Sequence, residues 1–186
     1  MGDDHGVARP LRADARRNRE RVLQVAREAM SGGGLTVSFH EIARRAGVGV
    51  GIVHRHFPTK EALVEAVTLA RAADLVADAH ALATAEDAGA AFFGWFRRVA
   101  ERASADQALR DLLDGAGTRL ENDLVAALGP LLARAQRVGA VRGDLAPEDV
   151  RDLLRGCLAA ERWARGRGRA GRLTETVCDG MRPRPS

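Results

Sequence analysis

The run FHEIARRAGVGVGIVHRHFP, residues 39–58, constrains the fold more than any other part of the chain. On both sides of Gly47, apolar residues recur every three or four positions, which is the period of an α-helix. They are Phe39, Ile42, Ala43 and Ala46 on one side and Val50, Val53 and Phe57 on the other. Because Gly allows a left-handed turn and Pro stops a helix, the run predicts two short helices joined by a tight turn.

The neighbouring residues extend this pattern to four helices. A first helix is expected over about residues 14–30, and SGGG at residues 31–34 should end it. Ser38 and Glu41 fit a capping box, in which Ser is the N-cap and Glu stands three residues further on. Thr59 is a suitable N-cap for the fourth helix.

Gly49 and Gly51 stand at the start of the second short helix, where a glycine in a helix interior costs about 1 kcal/mol relative to Ala. Without a Cβ atom, the backbone amides of this helix can come close to a phosphate. Two short helices joined by a Gly turn are typical of a helix-turn-helix, whose second helix enters the major groove of DNA. The sequence therefore predicts a DNA-reading helix that presents His54 and Arg55.

The distribution of charge agrees with this interpretation. Residues 9–60 carry 11 basic and 4 acidic side chains, whereas residues 61–160 carry 11 basic and 16 acidic ones. Residues 161–186 are again basic, with 7 basic and 3 acidic side chains. A basic first third followed by an acidic middle indicates that only one part of the chain meets a polyanion.

Beyond residue 80 the apolar pattern predicts longer helices, and strand-forming residues are scarce, with no Tyr in the chain. Helices are expected over residues 86–103, 107–115 and 118–138, then from Pro147, and finally over residues 173–181. Gly129-Pro130 should kink the third of these helices. A basic loop, RGRGRAGR at residues 165–172, is expected before the last helix.

The predicted fold class is all-α, with two domains. Residues 1–13 are expected to form a flexible tail, and residues 14–60 a three-helix helix-turn-helix DNA-binding domain. Residues 61–182 should form a larger helical domain.

Several other classes of protein are disfavoured. No apolar run is long enough to span a bilayer, and the first residues lack the apolar core of a signal peptide, so we expect a cytoplasmic protein without membrane contact. Cys157 and Cys178 show neither metal-ligand spacing nor a disulfide framework, which leaves a redox role open. With no nucleophile–base pair, carboxylate pair or metal cluster at workable spacing, we expect no enzyme activity, metal or cofactor.

The sequence resembles the tetracycline-repressor (TetR) family of bacterial transcriptional regulators over about residues 16–67. The matching elements are Ile42-Ala43, Ala46-Gly47-Val48, Gly51, His56-Phe57 and Lys60-Glu61-Ala62-Leu63. Residues 118–182, which contain LLARAQRVGAVRGDLAPEDVRDLLRG and DGMR, are similar to one subgroup of these regulators. The resemblance implies an all-helical homodimer with a three-helix reading head. It also implies that residues 61–182 are the larger domain, which binds a small-molecule effector and dimerises.

Two positions depart from the family pattern. His54 stands where the family usually has Tyr, and Gly49 where it usually has Ser or Thr, so phosphate contacts should depend more on Lys60, Ser38 and Arg55. Ser38 is either a helix cap or also a phosphate contact, and Ile52 is the better candidate than Val50 for the groove. The predicted DNA-binding residues are Ser38, His40, Gly49, Ile52, His54, Arg55 and Lys60.

In the larger domain, the aromatic cluster at Phe92, Phe93 and Phe96, together with Trp163, is either core or the wall of a ligand pocket. Further residues that could anchor a ligand are Glu161, His80, Asn122 and Gln136. The aliphatic faces at residues 150–158 and 173–181 are expected to form the dimer interface.

The leading functional hypothesis is a repressor that binds a pseudo-palindromic operator as a dimer and is released by a small-molecule effector. One alternative is an activator with the same DNA-binding head. The other is a helical small-molecule-binding protein that keeps a vestigial head. The sequence identifies neither the effector nor the operator.

Overall fold

The computed structural model describes residues 8–30, 37–114, 119–165 and 171–184. Within those ranges the chain forms nine helices and no strand, so the predicted all-α class is confirmed. The helices are α1 (Ala8–Ala29), α2 (Phe39–Ala46), α3 (Val50–His56), α4 (Lys60–Leu82), α5 (Ala88–Ala105), α6 (Gln107–Asp114), α7 (Arg119–Arg137), α8 (Pro147–Arg165) and α9 (Arg172–Gly180).

The helices begin and end close to the predicted positions, except at the start of the first helix. Helix α1 begins at Ala8, six residues before the expected start at Asp14, so part of the expected tail is helical. The run from Ala8 to Ala13 contains Pro only at the third helical position, in the first turn, where its missing N–H is tolerated. Residues 1–7, the SGGG segment at 31–34 and most of the basic loop, residues 166–170, lie outside the described residues.

The chain divides into two compact units, Met1–Leu69 and Ala70–Ser186. In the first unit, α1, α2 and α3 pack around one apolar core. Its buried members are Val22, Ala26, Met30, Ile42, Ala43, Ala46, Val53, Phe57, Leu63 and Val67. The apolar stripes predicted from the sequence on α2 and α3 therefore provide much of the core that holds the two short helices together.

The second unit has a larger core, to which α5 contributes most of the aromatic side chains. Phe92, Trp95 and Phe96 are almost completely buried, and the Trp95 indole N–H donates to the Leu75 carbonyl at 3.0 Å. This bond satisfies the single polar atom of the Trp95 side chain inside an apolar core. Gly89 on the same helix lies so close to Ala140 that an added Cβ would stand 2.7 Å from the Ala140 Cβ.

Glu161 connects α8 to the start of α9 inside the second unit. Its side chain is buried, and its carboxylate accepts from the backbone N–H groups of Gly171, Leu173 and Thr174 at 3.0–3.1 Å. Burial alone would raise the pKa of Glu161, but these hydrogen bonds outweigh burial and hold the pKa below its ordinary value. Glu161 therefore caps α9.

Pro130 lies inside helix α7, and the kink predicted at Gly129-Pro130 stays a prediction. In the loop after α7, the Gln136 side-chain amide donates to the carbonyls of Arg142 and Leu145 at 3.0 and 2.8 Å. None of the helices in the described ranges is long and apolar enough to cross a membrane.

Candidate nucleic-acid interface

The turn between α2 and α3 depends on Gly47. Its backbone angles, φ 63° and ψ 40°, lie in the left-handed region, and its N–H donates to the carbonyls of Ala43 and Arg44. The Val48 N–H also donates to the Ala43 carbonyl, at 3.0 Å. These bonds satisfy the last carbonyls of α2 within a single turn, which is the role predicted for Gly47.

Gly49 and Gly51 have a different reason to be glycine. Gly49 has an ordinary extended backbone, with φ −70° and ψ 144°, and Gly51 lies inside α3. A Cβ atom added at either position would meet no protein atom within 4 Å. Neither the backbone angles nor the packing of the protein requires glycine here, so the space that a side chain would fill faces outward.

The side chains of α3 divide into an inner and an outer set. Val53 is completely buried. Val50 and Ile52 are exposed to a similar, intermediate degree, but only Val50 packs against the core of the first unit. Ile52 stands outside that core cluster, and His54 and Arg55 are exposed. The division agrees with the expectation that Ile52, rather than Val50, is available to a groove.

Ser38 and His40 flank the first residue of α2 and are both exposed. The Ser38 hydroxyl accepts from the Glu41 N–H at 3.3 Å, so its predicted role as N-cap of α2 is confirmed. The Glu41 carboxylate accepts from the guanidinium groups of Arg44 and Arg45 at 2.6–2.8 Å. These bonds, with Arg44 contributing most, lower the pKa of Glu41 to about 2.

Lys60 is the first residue of α4, and its side chain is exposed. The Thr59 hydroxyl accepts from the Ala62 N–H at 3.1 Å, as expected for an N-cap. Lys60 therefore stands at the N-terminal end of α4, which is the end of a helix that favours an anion.

Two aromatic contacts that the sequence did not reveal hold this region together. The rings of Phe39 and His54 meet in an edge-to-face arrangement with 4.9 Å between their centroids. The Arg19 guanidinium lies over the Phe57 ring, 5.3 Å from its centroid. The first contact brings His54 beside the segment that contains Ser38 and His40. The only sequence signal for it was the position of Phe39 on the apolar stripe of α2.

All seven predicted DNA-binding residues lie in the first unit, and the structure brings Ser38, His40 and His54 together through Phe39. Six of them are exposed and Ile52 is half-exposed. Their contact with DNA stays a prediction.

The predicted pocket residues of the second unit separate into two groups. Phe92, Phe93 and Phe96 are buried together in the core, with the first two rings 5.2 Å apart. Trp163 is 73% exposed and does not join them, because the residues of α8 that face the core, such as Leu158 and Glu161, lie on the other side of the helix. A ligand pocket at these four positions stays a prediction.

The other candidates for ligand contact have identifiable positions. Glu161 is committed to the cap of α9, Gln136 holds the loop after α7, and His80 and Asn122 are exposed. Cys157 and Cys178 are both buried free thiols, and burial raises the pKa of each, that of Cys178 to about 11. In the described part of the chain, no group of three or more His, Cys, Asp or Glu side chains could hold a metal ion.

The geometry of the first unit therefore defines a helix-turn-helix protein with a separate helical domain. Residues 22–67 match the family model for bacterial regulatory proteins of the TetR family. Residues 87–183 match the model described as the transcriptional regulator SbtR-like C-terminal domain. The chain belongs to the TetR family of transcriptional regulators, as the sequence predicted.

Solved structures agree with this assignment. The chain is 43% identical to the TetR transcription regulatory protein from Mycobacterium vanbaalenii, with a TM-score of 0.65 over 94% of this chain and 100% of that one. It is 31% identical to the TetR transcriptional regulator SCO0520 from Streptomyces coelicolor, with a TM-score of 0.68 over 90% and 99% of the two chains.

RolR, whose structure was solved in complex with resorcinol, shares the fold at 20% identity and a TM-score of 0.57, over 92% of this chain and 91% of RolR. Comparison with curated protein sequences finds no significant match.

Proposed function

We propose that this TetR-family regulator is a repressor that binds a pseudo-palindromic operator as a homodimer and is released by a small-molecule effector. Binding to an operator places the protein in the cytoplasm, where the chromosome is. Within the proposal, Gly49, Ile52, His54 and Arg55 of α3 enter the major groove. Ser38, His40 and Lys60 hold the flanking backbone.

The observation that carries the proposal is the outward-facing surface at the start of α3. Open space surrounds Gly49 and Gly51, and the exposed side chains that follow are a histidine and an arginine. Arginine can pair bidentately with guanine, and backbone amides beside a bare glycine can approach a phosphate. If this surface met only water, Ala at position 51 would make the helix about 1 kcal/mol more stable than Gly does. A glycine here therefore indicates that the surface has another role.

The homodimer would form through the outer faces of α8 and α9. Much of the region expected to pair faces inward, since Val150, Leu154 and Leu158 belong to the core of the unit. The outer positions of α8 are the exposed Leu153 and Gly156 and the half-exposed Ala160; those of α9 are the half-exposed Leu173, the exposed Thr176 and the half-exposed Val177.

These outer residues line an open groove of about 730 Å³. Trp163 follows Leu153, Gly156 and Ala160 at helical spacing and is 73% exposed. An exposed Trp on the helix face that lines an open groove suits a two-fold interface, in which each copy fills the other's groove.

The effector would act by preferring one arrangement of the two reading heads. A dimer of this class presents its recognition helices roughly 34–36 Å apart, to match successive turns of DNA. A ligand that binds more tightly to a dimer with another spacing lowers the affinity of the protein for DNA. The loss cannot exceed the ratio of the ligand's affinities for the two arrangements of the dimer.

Footprinting on the DNA upstream of the chain's own gene tests the proposal. The wild-type protein should protect a pseudo-palindromic site, and Arg55→Ala combined with Lys60→Ala should abolish protection. Arg119→Ala combined with Arg137→Ala removes the same charge from exposed residues of the second unit and should leave the footprint intact. An unchanged footprint in the first double variant would contradict the proposal.

Two alternatives predict different results. An activator with the same head would give the same footprint, but transcripts from neighbouring genes would fall rather than rise when the gene is deleted. A small-molecule-binding protein with a vestigial head would give no footprint at all.

A further inference from the structure

A small cavity in the second unit collects two arginine side chains. It lies between the end of α5, α6 and α8, has a volume of about 30 Å³, and is lined by Ser104, Arg110, Leu158 and Arg162. Leu158 is buried and supplies an apolar wall, whereas Arg162 is exposed and forms the side toward solvent.

Arg110 is fixed in place by its terminal nitrogens. Nη1 donates to the carbonyls of Ala103 and Ser104 at 2.6 and 2.7 Å, and Nη2 donates to the Gln107 side chain. These bonds satisfy the last turn of α5, which otherwise leaves free carbonyls. The remaining donor, Nε, is buried and has no hydrogen-bond partner among the described residues. A buried donor on a charged group destabilises the protein when it has no acceptor.

The charge around the cavity is also unbalanced. In the described part of the chain, neither Arg110 nor Arg162 forms a salt bridge, although many other arginines do. Two guanidinium groups that line one cavity without a carboxylate partner repel each other, and an anion between them would remove that repulsion.

We infer that this cavity is an anion subsite that takes the carboxylate group of the effector. In this arrangement the carboxylate accepts hydrogen bonds from Arg110 Nε and from the Arg162 guanidinium, and the Ser104 hydroxyl can donate a third. The inference rests on the proposed effector-binding function of the second unit and specifies the chemistry of the ligand.

The size of the cavity limits what enters it. A cavity must measure about 10–15 Å³ to hold one water molecule. This cavity of about 30 Å³ therefore holds one or two oxygen atoms but not a whole organic ligand. The organic part of the effector would therefore lie beyond Arg162, whose exposed side chain can move aside. A water alone could pair with Nε, but it would leave both positive charges uncompensated.

Titration with sodium benzoate, followed by NMR of the arginine Nε–H groups, tests the inference on the full-length protein. The Nε–H resonance of Arg110, assigned by its loss in Arg110→Lys, should move on titration. Benzamide has the same shape without the charge and should not move it. Sodium chloride at equal ionic strength serves as the control for inorganic anions.

Two variants locate the binding. Arg162→Gln lies at an exposed position and should leave the fold intact while weakening benzoate binding at least 10-fold. Arg137→Gln removes an exposed charge from α7 and should bind benzoate as the wild type does. The inference is overturned if benzoate leaves the Arg110 resonance unmoved, if benzamide or chloride moves it equally, or if Arg162→Gln binds as tightly as the wild type.

The same samples separate this inference from the proposed function. Operator binding measured without benzoate does not require the anion subsite to be occupied. A wild-type protein that binds its operator but ignores benzoate would overturn the anion subsite and leave the DNA-binding proposal standing. A protein that binds benzoate through Arg162 but never binds DNA would overturn the DNA-binding proposal and leave the anion subsite standing.

Discussion

The imidazole of His54 in α3 meets the ring of Phe39 in α2 in an edge-to-face contact, with 4.9 Å between the ring centroids. Phe39 is half-buried against the core of the first unit, while His54 is exposed. A core-anchored ring therefore orients an exposed side chain at the proposed DNA surface.

Replacing Phe39 by Leu should weaken operator binding about 2- to 10-fold, because an aromatic pair contributes about 0.5–1.5 kcal/mol beyond its buried area. Fluorescence anisotropy with labelled operator measures the change. His54→Ala should cost at least as much, and the double variant should bind no worse than His54→Ala alone. Fully additive losses would mean that Phe39 does not act through His54.

Gly51→Ala should stabilise the free protein by about 0.5–1 kcal/mol, because the position is helical and the added Cβ meets open space. The same methyl group should weaken operator binding, since it would stand between the helix and the DNA. Urea unfolding and anisotropy measure the two effects. Gly94→Ala in α5 is the control and should leave operator affinity unchanged. Equal operator affinity in the wild type and Gly51→Ala would show that the bare surface has no role in binding.

Gly89→Ala should destabilise the second unit by about 1–3 kcal/mol, because its Cβ would stand 2.7 Å from that of Ala140. Thermal and urea unfolding measure the loss. Ala140→Gly removes the opposing atom, so the double variant Gly89→Ala with Ala140→Gly should recover most of the stability. If the double variant does not recover stability, the close approach of Ala140 is not the reason why position 89 requires glycine.

Glu161→Gln should cost about 1–3 kcal/mol at neutral pH, because the buried carboxylate accepts the first N–H groups of α9. The folded state lowers the pKa of Glu161, so its contribution is full above the ordinary value of 4.5. It is lost as the pH falls through the lower folded value. Urea unfolding at several pH values should therefore show the gap between wild type and variant narrowing on acidification. A gap that widens in acid would contradict this assignment.

The sequence predicted the parts of this fold that depend on neighbours along the chain. The stripes of α2 and α3, the left-handed Gly47 and the caps at Ser38 and Thr59 all follow from residues within a few positions of one another. The predicted start of α1 was wrong because the residues before Asp14 have no apolar period that would show where a helix begins.

Contacts between distant residues could not be read in the same way. Glu161 is a cap for a helix that starts 11 residues later, which gives no local signal. The aromatic run at Phe92–Phe96 fits a core and a pocket equally well, and only packing shows that these rings are buried while Trp163 is exposed. That Arg110 of α6 and Arg162 of α8 line one cavity likewise has no local signal in the sequence.

The central claim is that the surface of α3 reads a specific DNA sequence in a dimer. Operator affinity measured against salt concentration, beside a scrambled duplex of equal length, tests it most directly. We predict that affinity falls steeply with salt and that the operator is bound at least about 10³-fold more tightly than the scrambled duplex. Equal affinity for the two duplexes, or affinity that does not change with salt, would contradict the claim.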